Sequence, residues 1–316
     1  MTKQIFAPRV PAEALCSRQM KVLVPPGDEF WNAEIVIAIS LHNQAESLSA
    51  ALGSAMGQTV VTDQRAVILI LDDRSTDDWQ SAVQEFLNHS QVVVVSGNCG
   101  SPARTRNALL DFVDEHFHRA QWVARLDADD ILAHPEAVSV LCAQGETANA
   151  KYVLGSNHLV QNGSRLAWSN IANPDELKNR VALLDLIESF ALRGGERELP
   201  SCNLVLRVGS GIRYPEIRGA EDHWLVTTLL IFEPSYGAIV PSPIYSTYVL
   251  QGAESITNQK SDQWSAQRRR LAEAARIWIK ALDSGKEVLG VGQEGVVWRE
   301  HGAVWRSEEH TSELQS

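Results

Sequence analysis

Aspartates carry the clearest chemistry in this chain of 316 residues. Asp72-Asp73-Arg74-Ser75-Thr76-Asp77 directly follows the apolar run 66–71, and Asp127-Ala128-Asp129-Asp130 directly follows the run 121–126. Each cluster stands where a strand is expected to end, and ligands of open parallel sheets bind beyond the carboxyl ends of the strands. Two acidic clusters at one sheet edge repel each other unless a cation or polar ligand lies between them. Hard divalent cations take carboxylate oxygens, and Mg2+ or Mn2+ needs only one or two of them when a ligand's phosphates supply the rest. The pattern points to a metal–diphosphate site. A plainer use competes with it, because Asp72 or Asp77 can cap the helix that follows. We expect the cap for Asp77, but not for Asp127 with Asp129.

Four strand–helix units must position these clusters. Strands are expected over 34–40 (EIVIAIS), 66–71 (AVILIL), 91–95 (QVVVV) and 121–126. Between them lie helical stretches at 45–56, where Leu48, Leu52 and Met56 share one face, at about 77–88, and at 102–117. Pro135 can open a fourth helix at its first turn. Units at about thirty-residue spacing imply right-handed crossovers and a mainly parallel sheet. Continuously apolar strands agree, since such a sheet is covered on both faces. Beyond residue 150 the pattern becomes mixed. Strands are expected at 151–157 and 159–168, with a hairpin turn at 161–164 (QNGS). Helices follow near 174–192 and 220–232, with strand-like runs at 203–208 and 244–250. The expected fold class is α/β, one domain over 31–257 preceded by a Pro-containing extension, 1–30.

Composition narrows the function. A net charge of −11 argues against a nucleic-acid binder, which needs a basic face. No apolar run approaches the roughly 20 residues that span a bilayer, and MTKQIFAPRV has no secretory core. Cys16, Cys99, Cys142 and Cys202 are too scattered for a disulfide scaffold or a CxxC zinc site. A cytoplasmic globular protein is expected.

In order and spacing, six pieces resemble the family 2 glycosyltransferases of the GT-A fold, which move sugars from nucleotide-diphosphate donors. They are Ile35–Ser40 with Asn43, Gln58-Thr59, the Asp72–Asp77 cluster, Asn98-Cys99-Gly100 with Arg106-Asn107, Asp127-Ala128-Asp129-Asp130, and Gly219-Ala220-Glu221-Asp222-His223-Trp224-Leu225. The resemblance implies that Asp73 or its neighbour Asp72 accepts hydrogen bonds from the nucleotide base, over a pocket floor near Ser40 and Asn43. It implies that Asp127 faces the ribose or the metal, and that Asp129 ligates the Mn2+ or Mg2+ bridging the donor diphosphate. Arg106 lies against the diphosphate or pairs with a carboxylate. Asp222 is the implied general base, with Glu221 as its supporting neighbour, although an acidic pair also suits a plain helix start. The implied reaction is inverting transfer of one sugar from a UDP-, GDP- or dTDP-sugar to a hydroxyl, glycan or lipid-linked.

Several residues depart from the family pattern. His42 replaces the usual Tyr before Asn43. The stretch 248–257 holds Gln251 where some relatives have a metal-binding His. Gln267-Arg268-Arg269-Arg270-Leu271 lacks the Trp of processive synthases, which favours single-sugar transfer. Competing readings are a non-catalytic nucleotide-sugar-binding module and a sugar nucleotidyltransferase. The latter would need a Gly-rich loop after the first strand, and 40–46 has no Gly.

Among smaller features, His116 and His118 read as surface residues, and Trp168, Trp224 and Tyr214 as acceptor-stacking or core aromatics. The segment 258–285 reads as an amphipathic helix with Trp264, Leu271, Ala275, Trp278 and Leu282 on one face. Packing on the catalytic domain is the expected use of that face, and peripheral contact with an anionic membrane the alternative. Gly290-Val291-Gly292-Gln293-Glu294-Gly295-Val296-Val297 resembles the Gly-rich loop of protein kinases. Residues 286–305 would be the first strands of a truncated kinase-like domain, without the residues needed to phosphorylate anything. The final stretch, 306–316 (RSEEHTSELQS), resembles a translated sequencing adapter.

Overall fold

The computed structural model describes residues 20–161, 164–193, 197–217, 219–250, 262–285, 287–292, 295–300 and 303–306. In chain order the elements are β1 (Lys21–Val24), β2 (Ile35–Leu41), α1 (Ala45–Met56), α2 (Thr59–Thr62), β3 (Ala66–Asp73), α3 (Trp79–Ala82), β4 (Val92–Gly97), α4 (Pro102–His116), β5 (Trp122–Asp127), β6 (Ile131–Leu132) and α5 (Ala137–Thr147). There follow β7 (Tyr152–Gly155), β8 (Asn157–Gln161), β9 (Ser164–Asn170), α6 (Pro174–Leu177), α7 (Arg180–Leu192), β10 (Leu204–Arg207), α8 (Glu221–Phe232), β11 (Gly237–Val240), β12 (Ser246–Leu250), α9 (Asp262–Asp283), β13 (Glu287–Gly292), β14 (Gly295–Glu300) and β15 (Ala303–Arg306).

An eight-stranded sheet ordered β1-β4-β3-β2-β5-β10-β7-β11 forms the body of the fold. Its centre, β4-β3-β2-β5, is parallel, as the uninterrupted apolar runs require. Side chains alternate across it. Ile35, Ile37 and Ile39 of β2 pack with α1 and α5 on one face, while Val36 and Ala38 pack with α4, α7 and α8 on the other. Both sets are buried, so register is strongly specified.

Several boundaries differ from expectation. The expected extension 1–30 contributes β1, antiparallel to β4, and a 3-10 turn at Asp28–Asn32 that buries Phe30. The helix expected over 77–88 contracts to the single turn α3. The strand expected at 151–157 divides at Ser156: β7 stays in the large sheet, whereas β8 joins a second sheet ordered β6-β12-β8-β9. Asn173 and Asn179 each cap a helix start, which splits the stretch 174–192 into α6 and α7.

The apolar face of α9 is taken up by α7 and α8. Leu271, Ala275 and Trp278 are buried, and the Trp278 ring meets Trp224 and Phe232. These residues are therefore not available to a bilayer. Among the described residues no helix is long and apolar enough to cross a membrane. His116 and His118 are exposed. Strands β13, β14 and β15 form a separate antiparallel sheet, the hairpin arrangement expected of the glycine-rich stretch. Gln251, Gln293, Glu294 and residues 307–316 lie outside the described residues, as does the side chain of Trp168.

Candidate active site

The carboxyl ends of β2, β3 and β5, together with the start of α8, converge on one cluster of charge. Its local backbone is unusual for a reason. Asn43, Arg74 and Ala220 adopt left-handed conformations, at φ 53°, 56° and 58°; the first two lie in loops leaving this sheet edge, and Ala220 immediately precedes α8. Such strain persists only where the surroundings enforce it. Gly219 and Ala220 turn in succession, so the chain reverses sharply before Glu221 and Asp222 open α8.

The loops after β2 and β3 are tied together. Asn43 Oδ1 accepts from Thr76 N at 2.7 Å, and Asn43 N donates to Ser75 Oγ at 3.0 Å. His42 Nδ1 donates to the Asp73 carbonyl at 2.7 Å. Asp77 does cap a helix, but the preceding one: its Oδ2 accepts from Ala45 N at 2.7 Å at the start of α1. The following helix, α3, is capped by Asp78. Gln58 is likewise structural, clamping the segment before α5 through His134 O and Val138 N.

Asp73 is not an open acceptor for a base. Its Oδ1 accepts from Cys99 N at 2.7 Å, and its Oδ2 from Gly100 N at 2.8 Å and Thr105 Oγ1 at 2.9 Å. It pins the loop between β4 and α4. Asp72 uses only Oδ1, accepting from Ser75 N at 2.9 Å, so it is the member of the pair with capacity left for a ligand. Cys99 is also disulfide-bonded, a constraint that the scattered cysteines did not suggest, whereas Cys142 and Cys202 are free.

Arg125 is the residue that sequence reasoning missed. It projects from β5 and donates to Asp127 through Nε at 3.0 Å and Nη2 at 2.6 Å. The same Nη2 lies 3.6 Å from Asp222 Oδ2, and Nη1 donates to Ser201 O. A charged residue inside the otherwise apolar strand Trp122–Leu126 was the available signal. Arg106 of α4 takes the carboxylate-pairing alternative, bridging Asp127 at 3.2 Å and Glu221. The Tyr214 ring lies 5.6 Å from the Arg106 guanidinium and 5.7 Å from that of Arg125. Asn107 holds Tyr214 by two backbone hydrogen bonds, so this buried aromatic serves the charge cluster rather than an acceptor. Ser40, Arg106, Arg125 and Tyr214 line a small cavity beneath the cluster.

Electrostatics follow from this geometry. Burial opposes ionisation of Asp127, but Arg125 and then Arg106 outweigh it and hold the carboxyl below its usual range. Burial is likewise outweighed at Asp222, first by His223 and then by Arg125 and Arg106, and that carboxyl sits well below the usual range. Asp222 Oδ2 also accepts from Ser201 Oγ at 3.1 Å. Asp129 behaves in the opposite way. Burial, reinforced by the charge of Asp127, pushes it up to about 6.

This contrast tests the expected metal. Both oxygens of Asp127 are engaged by guanidinium groups. Among the described residues no group of three or more His, Cys, Asp or Glu gathers around a common point. Asp129 is half-buried, destabilised as an anion and without a cationic side-chain partner among the described residues. It fits a divalent cation whose remaining ligands come from a diphosphate.

A parallel α/β core, an acidic loop leaving β5 and a carboxylate pair opening α8 together define a protein of the GT-A fold. Residues 36–202, more than half of the chain, match the model of glycosyl transferase family 2, and the chain belongs to that family. It is a glycosyltransferase. No curated protein sequence matches it. Among solved structures it resembles S. aureus TarS 1-349, at 14% identity and TM-score 0.50, over 87% of this chain and 100% of that one. The same fragment in complex with UDP-GlcNAc aligns at 14% identity and TM-score 0.52, again over 87% and 100%. A longer S. aureus TarS chain aligns at 16% identity and TM-score 0.52, over 78% of this chain and 43% of that one.

Proposed function

We propose that the chain transfers a single sugar from a nucleotide-diphosphate donor to a hydroxyl acceptor with inversion, using Asp222 as general base. The observation that carries this is the meeting of two acidic segments 95 positions apart, Asp127 and Asp222, on one nitrogen of Arg125. Displacement at an anomeric carbon needs an acceptor hydroxyl that loses its proton as it attacks, and one positioned carboxylate suffices. Asp222 is held ionised before any acceptor arrives, and Glu221, locked to Arg106, fixes the first turn of α8. Asp72, with one oxygen not taken by Ser75, would accept a hydrogen bond from the nucleotide's base. Asp129 would hold Mn2+ or Mg2+ together with the diphosphate, and a bound cation neutralises the charge that develops on the leaving group.

TarS is known in complex with UDP-GlcNAc, which makes a UDP-sugar the first donor to test, followed by GDP- and dTDP-sugars. The purified chain should release nucleoside diphosphate from one of them in the presence of Mn2+ or Mg2+. Asp222→Asn should lose transfer while still binding donor, and full activity in that variant overturns the assignment. Asp129→Asn should lose the stimulation by cation.

A further inference from the structure

His223 is hard to explain by packing alone. It is 6% exposed, and neither ring nitrogen makes a well-aligned hydrogen bond. Buried polar atoms are nearly always satisfied, so an exception calls for a reason. Both nitrogens nevertheless face carboxylates. Nδ1 lies 3.3 Å from Asp222 Oδ1, and Nε2 lies 3.8 Å from Glu198 Oε2. Glu198 in turn is gripped from α9 by Arg268, whose Nη1 and Nη2 donate to the two carboxylate oxygens at 3.0 and 2.9 Å. The Phe190 ring backs this row, 4.8 Å from the Arg268 guanidinium and 5.3 Å from the imidazole. On its other side, Asp222 meets Arg125. Contacts therefore pass from Arg268 on α9 to Glu198, from Glu198 to His223, from His223 to Asp222, and from Asp222 to Arg125 at the centre of the site.

We infer that α9 is a working part of the active site, with Arg268 and Glu198 holding the His223 ring and the ring holding the carboxylate of Asp222 in its working orientation. Glu198 lies inside the segment 36–202 that matches the family, whereas Asp222, His223 and Arg268 lie beyond it. Arg268, Glu198 and His223 are positioning residues: they touch neither donor nor acceptor and act through Asp222. The inference rests on Asp222 being the base.

The test uses the full chain and the UDP-, GDP- or dTDP-sugar that it hydrolyses fastest with Mn2+, read as nucleoside diphosphate release. His223→Phe keeps a ring against Phe190 and removes both nitrogens. It should keep the thermal midpoint and the donor KM while lowering kcat roughly tenfold, a modest share of what general-base catalysis contributes. Arg268→Met should lower kcat to a similar extent, Arg268→Lys less, and the double variant no further than either single one, because the residues act through one path. Wild-type kcat in a folded His223→Phe, or losses that multiply in the double variant, would overturn the inference. Full activity in Asp222→Asn would instead overturn the base and this inference with it. An inactive Asp222→Asn beside a fully active His223→Phe overturns the inference alone.

Discussion

The carboxylates of Asp127 and Asp222 share one nitrogen of Arg125, at 2.6 and 3.6 Å. Arg106 makes a second bridge, joining Asp127 through Nη2 to Glu221 through Nη1. Two buried cations thus stitch the end of β5 to the start of α8. Burial disfavours the charge on each guanidinium, and the surrounding carboxylates more than offset it. The site is an assembled network rather than a row of independent ligands.

Arg125 should therefore matter to folding as well as to activity. Arg125→Met leaves Asp127 and Asp222 buried with fewer partners, and breaking such a pair costs about 3 kcal/mol or more. Chemical denaturation should show that loss. Arg125→Lys should recover only part of it, because an ammonium lacks the planar fork that meets Asp127 through two nitrogens. Equal stability of wild type and Arg125→Met would show that the network holds nothing together.

Asp72 and Asp73 should separate cleanly. Asp73→Asn places an amide against donors at Gly100 N and Thr105 Oγ1 and should cost about 2 kcal/mol. Asp72→Asn keeps an oxygen for Ser75 N, so its thermal midpoint should stay near wild type while donor affinity falls. Calorimetric melting and donor titration of both variants check the division. Weakened donor binding in Asp73→Asn with unchanged stability would reverse the two roles.

Acid should loosen the attachment of α9. Burial pushes the Glu198 carboxyl up, but the charge and hydrogen bonds of Arg268 outweigh it, leaving the group below its ordinary value of 4.5. A depressed carboxyl contributes its stability above the unfolded-state value and loses it as pH falls through the folded-state one. The pair should thus be at full strength above about pH 4.5 and fade below. Melting curves between pH 7 and pH 3 should show a shallower acid slope in Arg268→Met than in wild type.

Gly145 sets two effects against each other. Alanine inside a helix is favoured over glycine by about 1 kcal/mol. A Cβ on Gly145 of α5 would, however, stand 2.5 Å from the Trp122 ring and 2.8 Å from Val153, both buried. Overpacking of this kind costs about 1–3 kcal/mol. Gly145→Ala should be net destabilising, and a raised thermal midpoint would show that the Trp122 ring can yield.

The parallel centre of the sheet was readable because β2, β3, β4 and β5 are local apolar runs whose burial on both faces leaves little choice of partner. The two Asp clusters were readable as strand-end features on the same ground. Residues 152–161 were not, because a run of strand-formers does not reveal that Ser156 passes the chain from one sheet to another. The edge strand β1 was hidden because its pairing with β4 joins segments about seventy residues apart.

By itself, the sequence determined the fold class, the family and the set of acidic residues from which a site could be built. The division of labour among them was decided by tertiary structure. Asp73 is spent on backbone amides of the next loop and the hydroxyl of Thr105, Asp127 on two arginines and Asp77 on the preceding helix, while Asp72, Asp129 and Asp222 are the carboxylates to which we assign chemistry. The physical reason is that a carboxylate's role depends on which donors reach it across the fold. Those donors, on β5, on α4 and in the loop before α4, are brought to the acidic loops only when the sheet has closed its order and the helices have packed.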